Sequence, residues 1–342
     1  MSLSTSASRS ASRGASLLQC MGNTPVVEVE SPDGTSCARV HLKMEEFNPG
    51  GSTKSRVALQ MIEDAEASGR LRPGATLLEP TGGNTGIGLA IAAAVKGYHL
   101  TLVMPDTFSR QKMATLKALG ADLVLSDHRG LGNSSHLIVA REMLRRDASL
   151  VCLDQFTNPS NPRAHYLGTG AEFVRQLPRM DYFVAGIGSG GTLSGVAQRL
   201  RDSRSRAKIV GVQPEGCDVL KGRFVPHPVQ GISVGVVSAF IQPSDVHEMI
   251  SVSPREAEET RAYLARSHGL FVGRSSGANV AAAFAIARRH RRGTIVATIA
   301  PDGGRSYLEP DGEGPAPAPR IVGDEPARRA AGTSTSQTGE RS

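Results

Sequence analysis

The chain contains the stretch Asn48-Pro49-Gly50-Gly51-Ser52-Thr53-Lys54-Ser55-Arg56, in which a glycine-rich turn places a lysine before the helical pattern of residues 57–62. The free amides and the positive dipole end at a helix N-terminus disfavour an ammonium ion, so we expect Lys54 to be a neutral amine. A neutral lysine amine is a nucleophile that forms Schiff bases with carbonyl compounds. The stretch therefore predicts a bound aldehyde cofactor, and a solvated loop lysine is the simpler alternative.

Composition indicates a large α/β protein. The chain has 342 residues, 39% hydrophobic residues and 38 glycines, enough for one large or two moderate domains with tight turns. The net charge is +7, but its densest cluster, from Arg288 to Arg292, follows a helical pattern, where cations are favoured. We therefore expect no nucleic-acid partner. Four cysteines without CxxC spacing predict no metal site, no disulfide and a cytoplasmic location, and no apolar run is long enough for a membrane span.

Strand-like and helix-like segments alternate between about residues 17 and 308. Connections of about two to six residues in such an alternation predict parallel sheets with crossover helices. The two ends differ in composition: residues 1–16 are rich in Ser, Ala and Arg, and residues 309–342 in Pro, Ala and Gly. Both predict disordered tails, and a transit peptide is the alternative for the first.

Three glycine-rich turns each follow a predicted strand and precede a predicted helix: Thr81–Gly86, Gly188–Thr192 and Gly273–Gly277. Such turns present backbone amides and a helix dipole to an anion. Gly188–Thr192 lacks the nucleotide-binding patterns G-x-G-x-x-G and GK[ST], so it predicts a phosphate cradle or an unliganded tight turn. In the other two turns, the polar side chains either cap a helix or contact a ligand.

The chain resembles the cysteine synthase and cystathionine β-synthase family of pyridoxal 5′-phosphate enzymes, with a pattern nearest to O-acetylserine sulfhydrylase. The resemblance rests on blocks in the same order: Gly22–Pro25, Asn48–Arg56, Glu79–Gly86, Asp154–Pro162, Gly188–Thr192, Gly273–Gly277 and Pro301–Leu308. It implies an α/β fold of type II, with two domains that are each a mostly parallel twisted sheet flanked by helices. Residues 17–55 and 160–308 would form the large cofactor domain, and residues 56–159 a small mobile domain. It also implies a homodimer.

The resemblance implies a role for each matching residue. Lys54 would hold the cofactor as a Schiff base and then move the proton at the substrate α-carbon. Asn84 would contact the ring hydroxyl of the cofactor, and Ser275 its pyridine nitrogen. The cofactor phosphate would be held by Gly188, Ser189, Gly190, Gly191 and Thr192. The substrate would be bound by Thr81, Gly82, Asn84, Thr85 and Gln155, with Gly231, Ile232 and Ser233 lining the entrance.

The activity implied by the resemblance is β-replacement on an O-activated L-serine through an aminoacrylate intermediate. A cysteine synthase that uses O-acetyl-L-serine and sulfide is the first expectation. Three departures from the family pattern leave the nucleophile and the leaving group open: Gly82 replaces a serine and opens room, Ser233 replaces a glycine, and Arg274 replaces a small or apolar residue. The alternatives are β-replacement with an amine, as in a diaminopropionate-type synthase, a cystathionine β-synthase, a serine or threonine dehydratase, and a non-catalytic binding protein.

Overall fold

The structure is a computed structural model that describes residues 16–32, 38–108, 110–127 and 135–308. The described residues up to Tyr307 group into one compact unit. The tails predicted for residues 1–16 and 309–342 lie outside the described residues, except for Ser16, which caps a short 3-10 helix at Leu17–Cys20.

In the described residues, ten strands form two sheets. In chain order they are β1 Val26–Val29, β2 Arg39–Met44, β3 Thr76–Glu79, β4 His99–Pro105, β5 Asp122–Ser126, β6 Leu150–Val151, β7 Tyr182–Gly186, β8 Lys208–Pro214, β9 Glu248–Val252 and β10 Ile295–Ala300. The six-stranded sheet has the order β1-β2-β10-β7-β8-β9, and the four-stranded sheet the order β5-β4-β3-β6. Every pairing is parallel except that of the edge strand β1 with β2. The predicted α/β fold with mostly parallel sheets is confirmed.

Helices connect and flank these strands. In chain order they are α1 Lys54–Ala67, α2 Asn84–Lys96, α3 Arg110–Ala118, α4 Ser135–Arg146, α5 Ser160–Ala164, α6 Ala171–Gln176, α7 Gly191–Asp202, α8 Pro254–His268 and α9 Arg274–Arg288. A π-helical turn at His165–Gly170 joins α5 to α6, so the chain stays helical from Ser160 to Gln176. No helix of the described residues is both long and apolar enough to cross a membrane.

Each sheet is covered on both faces. Adjacent residues of a strand point to opposite faces, so Val184 packs in the core that includes α8 and α9, while Phe183 packs against α6 and α7. In the second sheet, Leu77 packs in a core with α1 and α2, and its neighbour Leu78 packs in a smaller core with α4. The first sheet takes its strands from residues 26–44 and 182–300, the second from residues 76–151. The division into a large and a small mobile domain stays a prediction.

A buried cluster of charges surrounds Arg56 in the first turns of α1. Its guanidinium donates to Glu45 Oε2 at 2.7 Å and to Glu172 Oε1 at 2.5 Å, and Lys43 Nζ donates to Glu172 Oε2 at 2.7 Å. All four side chains are at most 7% exposed. Burial alone would raise the pKa of Glu172, but hydrogen bonds and charges from Arg56 and Lys43 outweigh it and bring that pKa to about 2. The cluster therefore ties α1 to β2 and α6 through ionised groups.

Replacing Arg56 by methionine should cost about 3–5 kcal/mol of unfolding free energy, because Glu45 and Glu172 would keep their buried charges without a guanidinium partner. Urea unfolding measures this cost. Arg39→Met is the matched control, since Arg39 pairs with Glu28 at the surface with 58% of its side chain exposed and should lose less than about 1 kcal/mol. Equal losses in the two variants would show that the buried cluster does not stabilise the fold.

Candidate active site

Lys54 is the first residue of α1 and lies directly after the glycine turn. Gly50 and Gly51 have φ values of 87° and 71°, in the left-handed region that favours glycine. A Cβ at Gly50 would also lie 2.9 Å from Ile91 Cδ1. The backbone N–H of Thr53 donates to Pro301 O at 2.8 Å. The turn is thus fixed from both sides, and the lysine side chain lines a cavity.

The Lys54 amine has an altered acidity. Removal of water by burial lowers its pKa from 10.5 to about 8, although the Asp302 carboxylate works in the opposite direction. At pH 7 about a tenth of such amines are neutral, against fewer than about one in a thousand for an ordinary lysine. Burial is therefore the main cause of the change, whereas sequence reasoning attributed it to the helix N-terminus.

The cavity has a volume of about 660 Å³ and collects the predicted site residues from distant parts of the chain. Of these residues, the cavity lining includes Lys54, Thr81, Gly82, Asn84, Thr85, Gln155, Gly188, Ser189, Gly190, Thr192, Gly231, Ile232, Ser233 and Ser275. Gly191 is the exception: it begins α7 and packs against the side chain of Asn161.

The turn Gly188–Thr192 forms one wall. Gly190 has a φ of 88°, and a Cβ at Gly188 would collide with the carbonyl oxygen of Gly231, so both positions require glycine. Asn161 Nδ2 donates to Ser189 Oγ at 2.9 Å and thereby fixes the turn. The turn leads directly into the N-terminus of α7, whose free amides and dipole favour an anion.

His165 lies beneath this turn, fully buried, within the π-helical segment. Its Nε2 is 3.1 Å from Thr192 Oγ1, and its Nδ1 is 3.0 Å from Thr169 Oγ1. Burial, together with the charges of Lys54 and Arg56, lowers the pKa of His165 well below its ordinary value. The imidazole is therefore neutral and holds the Thr192 hydroxyl by a hydrogen bond.

Ser275 is the second residue of α9 and is buried in the cavity wall. The N-cap of α9 is Gly273, and no side chain caps this helix end. No hydrogen bond joins the Ser275 hydroxyl to any of the described residues. A Cβ at Gly231 would lie 3.6 Å from Ser275 Oγ. The hydroxyl is therefore available to a ligand.

Asn84 and Thr85 are the first two residues of α2 and end the turn Thr81–Thr85 that leads into this helix. Asn84 Nδ2 donates to Asp302 Oδ2 at 2.7 Å, and Thr85 Oγ1 donates to Gln155 Oε1 at 2.8 Å. The room expected at Gly82 is not there, because a Cβ at that position would lie 2.9 Å from the ring of Phe108. Phe108 itself lines the cavity.

Arg274 and Ser233, the two other residues that depart from the family pattern, are each held by a hydrogen bond. The guanidinium of Arg274 lies 5.9 Å from the ring centre of Tyr307 and donates to Pro228 O at 3.2 Å, and it is not part of the cavity lining. Ser233 has a φ of 47°, which is uncommon for a residue other than glycine. Its N–H donates to Ile187 O at 2.8 Å, and this bond keeps the entrance loop in place.

Sequence reasoning missed several residues that shape the cavity: Phe108, Asn161, His165, Asp302 and Tyr307. Asn161 lies in the family-like block Asp154–Pro162, and Asp302 and Tyr307 lie in the block Pro301–Leu308, so the signal was present without an assigned role. Phe108 and His165 lie outside the recognised blocks.

The residues fit a pyridoxal-phosphate cofactor at three points. The Lys54 amine with its lowered pKa suits an aldehyde, the Gly188–Thr192 turn suits a phosphate, and the available hydroxyl of Ser275 suits a ring nitrogen. Among the described residues, no group of three or more His, Cys, Asp and Glu side chains could hold a metal ion.

Comparison with known proteins agrees with this geometry. Residues 17–302 match the family model described as pyridoxal-phosphate dependent enzyme. The chain is 39% identical to a cysteine synthase of Staphylococcus aureus over 85% of this chain and 94% of that protein. It is 38% identical to the O-ureido-L-serine synthase of Streptomyces lavendulae, over 86% and 90% of the two chains.

A solved structure is similar as well. The O-acetyl serine sulfhydrylase isoform 3 from Entamoeba histolytica superposes with a TM-score of 0.83 at 33% identity, over 91% of this chain and 94% of that chain. The resemblance to the cysteine synthase group and the expected cofactor are thereby confirmed. The chain belongs to the family of pyridoxal-phosphate dependent enzymes.

Proposed function

We propose that this protein is a cysteine synthase that replaces the acetyl-bearing oxygen of O-acetyl-L-serine by sulfide. The supporting observation is the convergence of Lys54, the Ser275 hydroxyl and the Asn84 turn on one cavity. Relatives named cysteine synthase and O-ureido-L-serine synthase support β-replacement on an O-activated serine as the reaction class.

The bound cofactor supplies an electron sink that stabilises negative charge at the substrate α-carbon. Lys54 takes the α-proton, and its lowered pKa suits this task because a useful fraction of the amine is neutral near pH 7. Ser275 would hold the ring nitrogen with a neutral hydroxyl, which favours loss of a β-substituent over transamination. The amides of Gly188–Thr192 would hold the phosphate, assisted by the Thr192 hydroxyl that His165 orients.

The substrate carboxylate is assigned to the turn Thr81–Thr85 with Gln155. This turn is the N-terminus of α2, where backbone amides and the dipole favour an anion. The hydrogen bond from Thr85 to Gln155 fixes both side chains before the substrate arrives. Gly231, Ile232 and Ser233 line the opposite wall, where the leaving group and the nucleophile would pass.

We further propose a domain division, an oligomeric state and a cellular location for this protein. Residues 56–159 form the small domain and close over the carboxylate, which is supported by a separate four-stranded sheet within residues 76–151. The protein is a homodimer, as the family resemblance implies. It works in the cytoplasm, in keeping with the free thiols of Cys20, Cys152 and Cys217.

The contact between Gly82 and Phe108 shapes the carboxylate turn. A side chain at residue 82 would meet the Phe108 ring and would lie 3.1 Å from Met104 Cβ. The substrate therefore contacts backbone at this point, and the aromatic ring takes the volume that a serine would need. This arrangement changes how the carboxylate is held and leaves the Lys54 chemistry unaltered.

The function is tested by supplying the holoenzyme with O-acetyl-L-serine, O-phospho-L-serine or L-serine, each with sulfide, homocysteine or an amine. We expect kcat/KM for O-acetyl-L-serine with sulfide to exceed every other combination by about 10-fold or more. Lys54→Ala should lower this rate at least about 100-fold. Lys96→Ala is the matched control, since Lys96 pairs with Glu66 outside the cavity.

Other products would assign another reaction. Faster turnover with an amine would identify a diaminopropionate-type synthase, and faster turnover with homocysteine a cystathionine β-synthase. Pyruvate as the main product would identify a dehydratase. Absence of turnover with bound cofactor would favour a binding protein.

Gly82 has no room for a side chain. Gly82→Ser should cost about 1–3 kcal/mol of unfolding free energy, because the new side chain overlaps Phe108 and Met104. Gly83→Ser is the control, since a Cβ there meets nothing within 4 Å and serine is favoured at this N-cap of α2. Adding Phe108→Ala to Gly82→Ser should give less than the sum of the two single losses. Equal urea stability of the two serine variants would rule out the overlap.

A further inference from the structure

Residues 301–303 follow β10 and lie between two of the turns that form the cavity. The N–H of Thr53 donates to Pro301 O at 2.8 Å, and the N–H of Gly273 donates to Asp302 O at 3.0 Å. Ser52 and Asp302 also form an isolated antiparallel bridge. The backbone at Asp302 therefore contacts both the turn that carries Lys54 and the turn that carries Ser275.

The side chain of Asp302 reaches the third turn. The residue is 2% exposed and lines the cavity. Its Oδ2 accepts hydrogen bonds from Asn84 Nδ2 at 2.7 Å and from Tyr307 Oη at 2.5 Å. Its Oδ1 is buried without a hydrogen-bond partner among the described residues. A single carboxylate thus joins the Asn84 turn to the other two.

This contact fixes the orientation of the Asn84 amide. An asparagine presents a donor group and an acceptor group that are nearly equal in size, so sterics alone do not select which one faces a neighbour. An ionised carboxylate only accepts, so Asp302 selects the Nδ2 end of Asn84. One N–H of Nδ2 is used by Asp302, and the other is left for a ligand in the cavity.

Tyr307 holds the carboxylate in turn. Burial, and the Asp302 carboxylate beside it, raise the pKa of Tyr307 above its usual value, so the phenol keeps its proton and donates. The ammonium of Lys112 lies 5.3 Å from the ring centre, and the guanidinium of Arg274 lies 5.9 Å from it. Two cations near the ring help to keep Tyr307 in this position.

Burial and hydrogen bonding act on the pKa of the Asp302 carboxyl in opposite directions. Burial raises the pKa of Asp302, while the hydrogen bonds from Tyr307 and Asn84 oppose this effect by stabilising the ionised form. The carboxylate also raises the pKa of Lys54, against the larger effect of burial. The charge of Asp302 is therefore felt at the amine as well as at the amide.

We propose that Asp302 is a positioning residue of the reaction, which orients the Asn84 amide towards the cofactor and is itself held by Tyr307. The inference rests on the proposed function in one respect: Asn84 is taken to contact the ring of the bound cofactor. Asp302 does not touch the reacting atoms in this account and acts through Asn84.

A double-mutant cycle on the holoenzyme tests this coupling. Asp302→Asn keeps the side-chain volume but offers an amide that no longer selects the Nδ2 end of Asn84. We expect the cofactor dissociation constant to rise about 10-fold and kcat/KM to fall about 10- to 100-fold. In the Asn84→Ala background, only the effect of the carboxylate on the Lys54 amine remains, so the same substitution should change both quantities by about 3-fold or less. Absorbance titration of the apoenzyme with pyridoxal phosphate gives the dissociation constant without any turnover.

Asp202→Asn is the matched control, since Asp202 accepts a hydrogen bond from Tyr166 at 2.9 Å at the surface. It should leave both quantities unchanged. Tyr307→Phe should weaken cofactor binding in the same direction as Asp302→Asn but less strongly, and its effect should also disappear in the Asn84→Ala background. If Asp302→Asn does not fold, the cycle of Tyr307 with Asn84 decides the question.

Equal fold-losses with and without Asn84 would overturn the proposal, since Asp302 would then act as a structural residue only. If the enzyme makes cysteine but the effect of Asp302→Asn does not depend on Asn84, the positioning role is wrong and the proposed function stands. If Asp302 and Asn84 are coupled in cofactor binding but the enzyme has no activity with sulfide, the positioning role is supported and the cysteine synthase assignment is wrong.

Discussion

The ion pairs of Arg56 with Glu45 and Glu172 are the constraint on which the rest of the site depends. They are buried, so moving Arg56 would leave two carboxylates without their guanidinium partner in a medium that solvates charge poorly. The backbone is packed closely around the guanidinium: a Cβ at Gly168 would lie 2.9 Å from Nη1. Lys54 stands only two residues earlier, and its position and burial follow from this anchorage.

The cavity then follows from the topology of the two parallel sheets. β3 leads into the Asn84 turn, β7 into the phosphate turn, and β10 into Asp302, so three walls come from the carboxyl ends of strands. In open α/β sheets, ligands bind at this edge because helix N-termini converge there. The two sheets thus supply different parts of one cavity, with the Gly188–Thr192 turn and Asp302 after strands of one sheet and the Asn84 turn after a strand of the other.

The sequence was informative where a local cause determines structure. The bounds of α8 are readable from the sequence, because Ser253 and Glu256 form a capping box and Gly269 ends the helix in the left-handed region. Contacts between distant residues were not readable in this way. Asn84 and Asp302 are 218 positions apart, and the room expected at Gly82 is filled by Phe108 from the strand-to-helix connection after β4. Local patterns therefore indicated the turns, the family resemblance implied the cofactor, and packing determined how the turns are joined.

The central claim is that burial prepares Lys54 as the covalent anchor of the cofactor. The most direct measurement is to mix the apoenzyme with pyridoxal phosphate at a series of pH values, trap the Schiff base with borohydride and quantify labelled peptides by mass spectrometry. The account predicts label on the Lys54 peptide. The initial rate of labelling should rise with pH and reach half of its maximum at the amine pKa of about 8. Label spread over other lysines, or a midpoint near the ordinary lysine value of about 10.4, would contradict it.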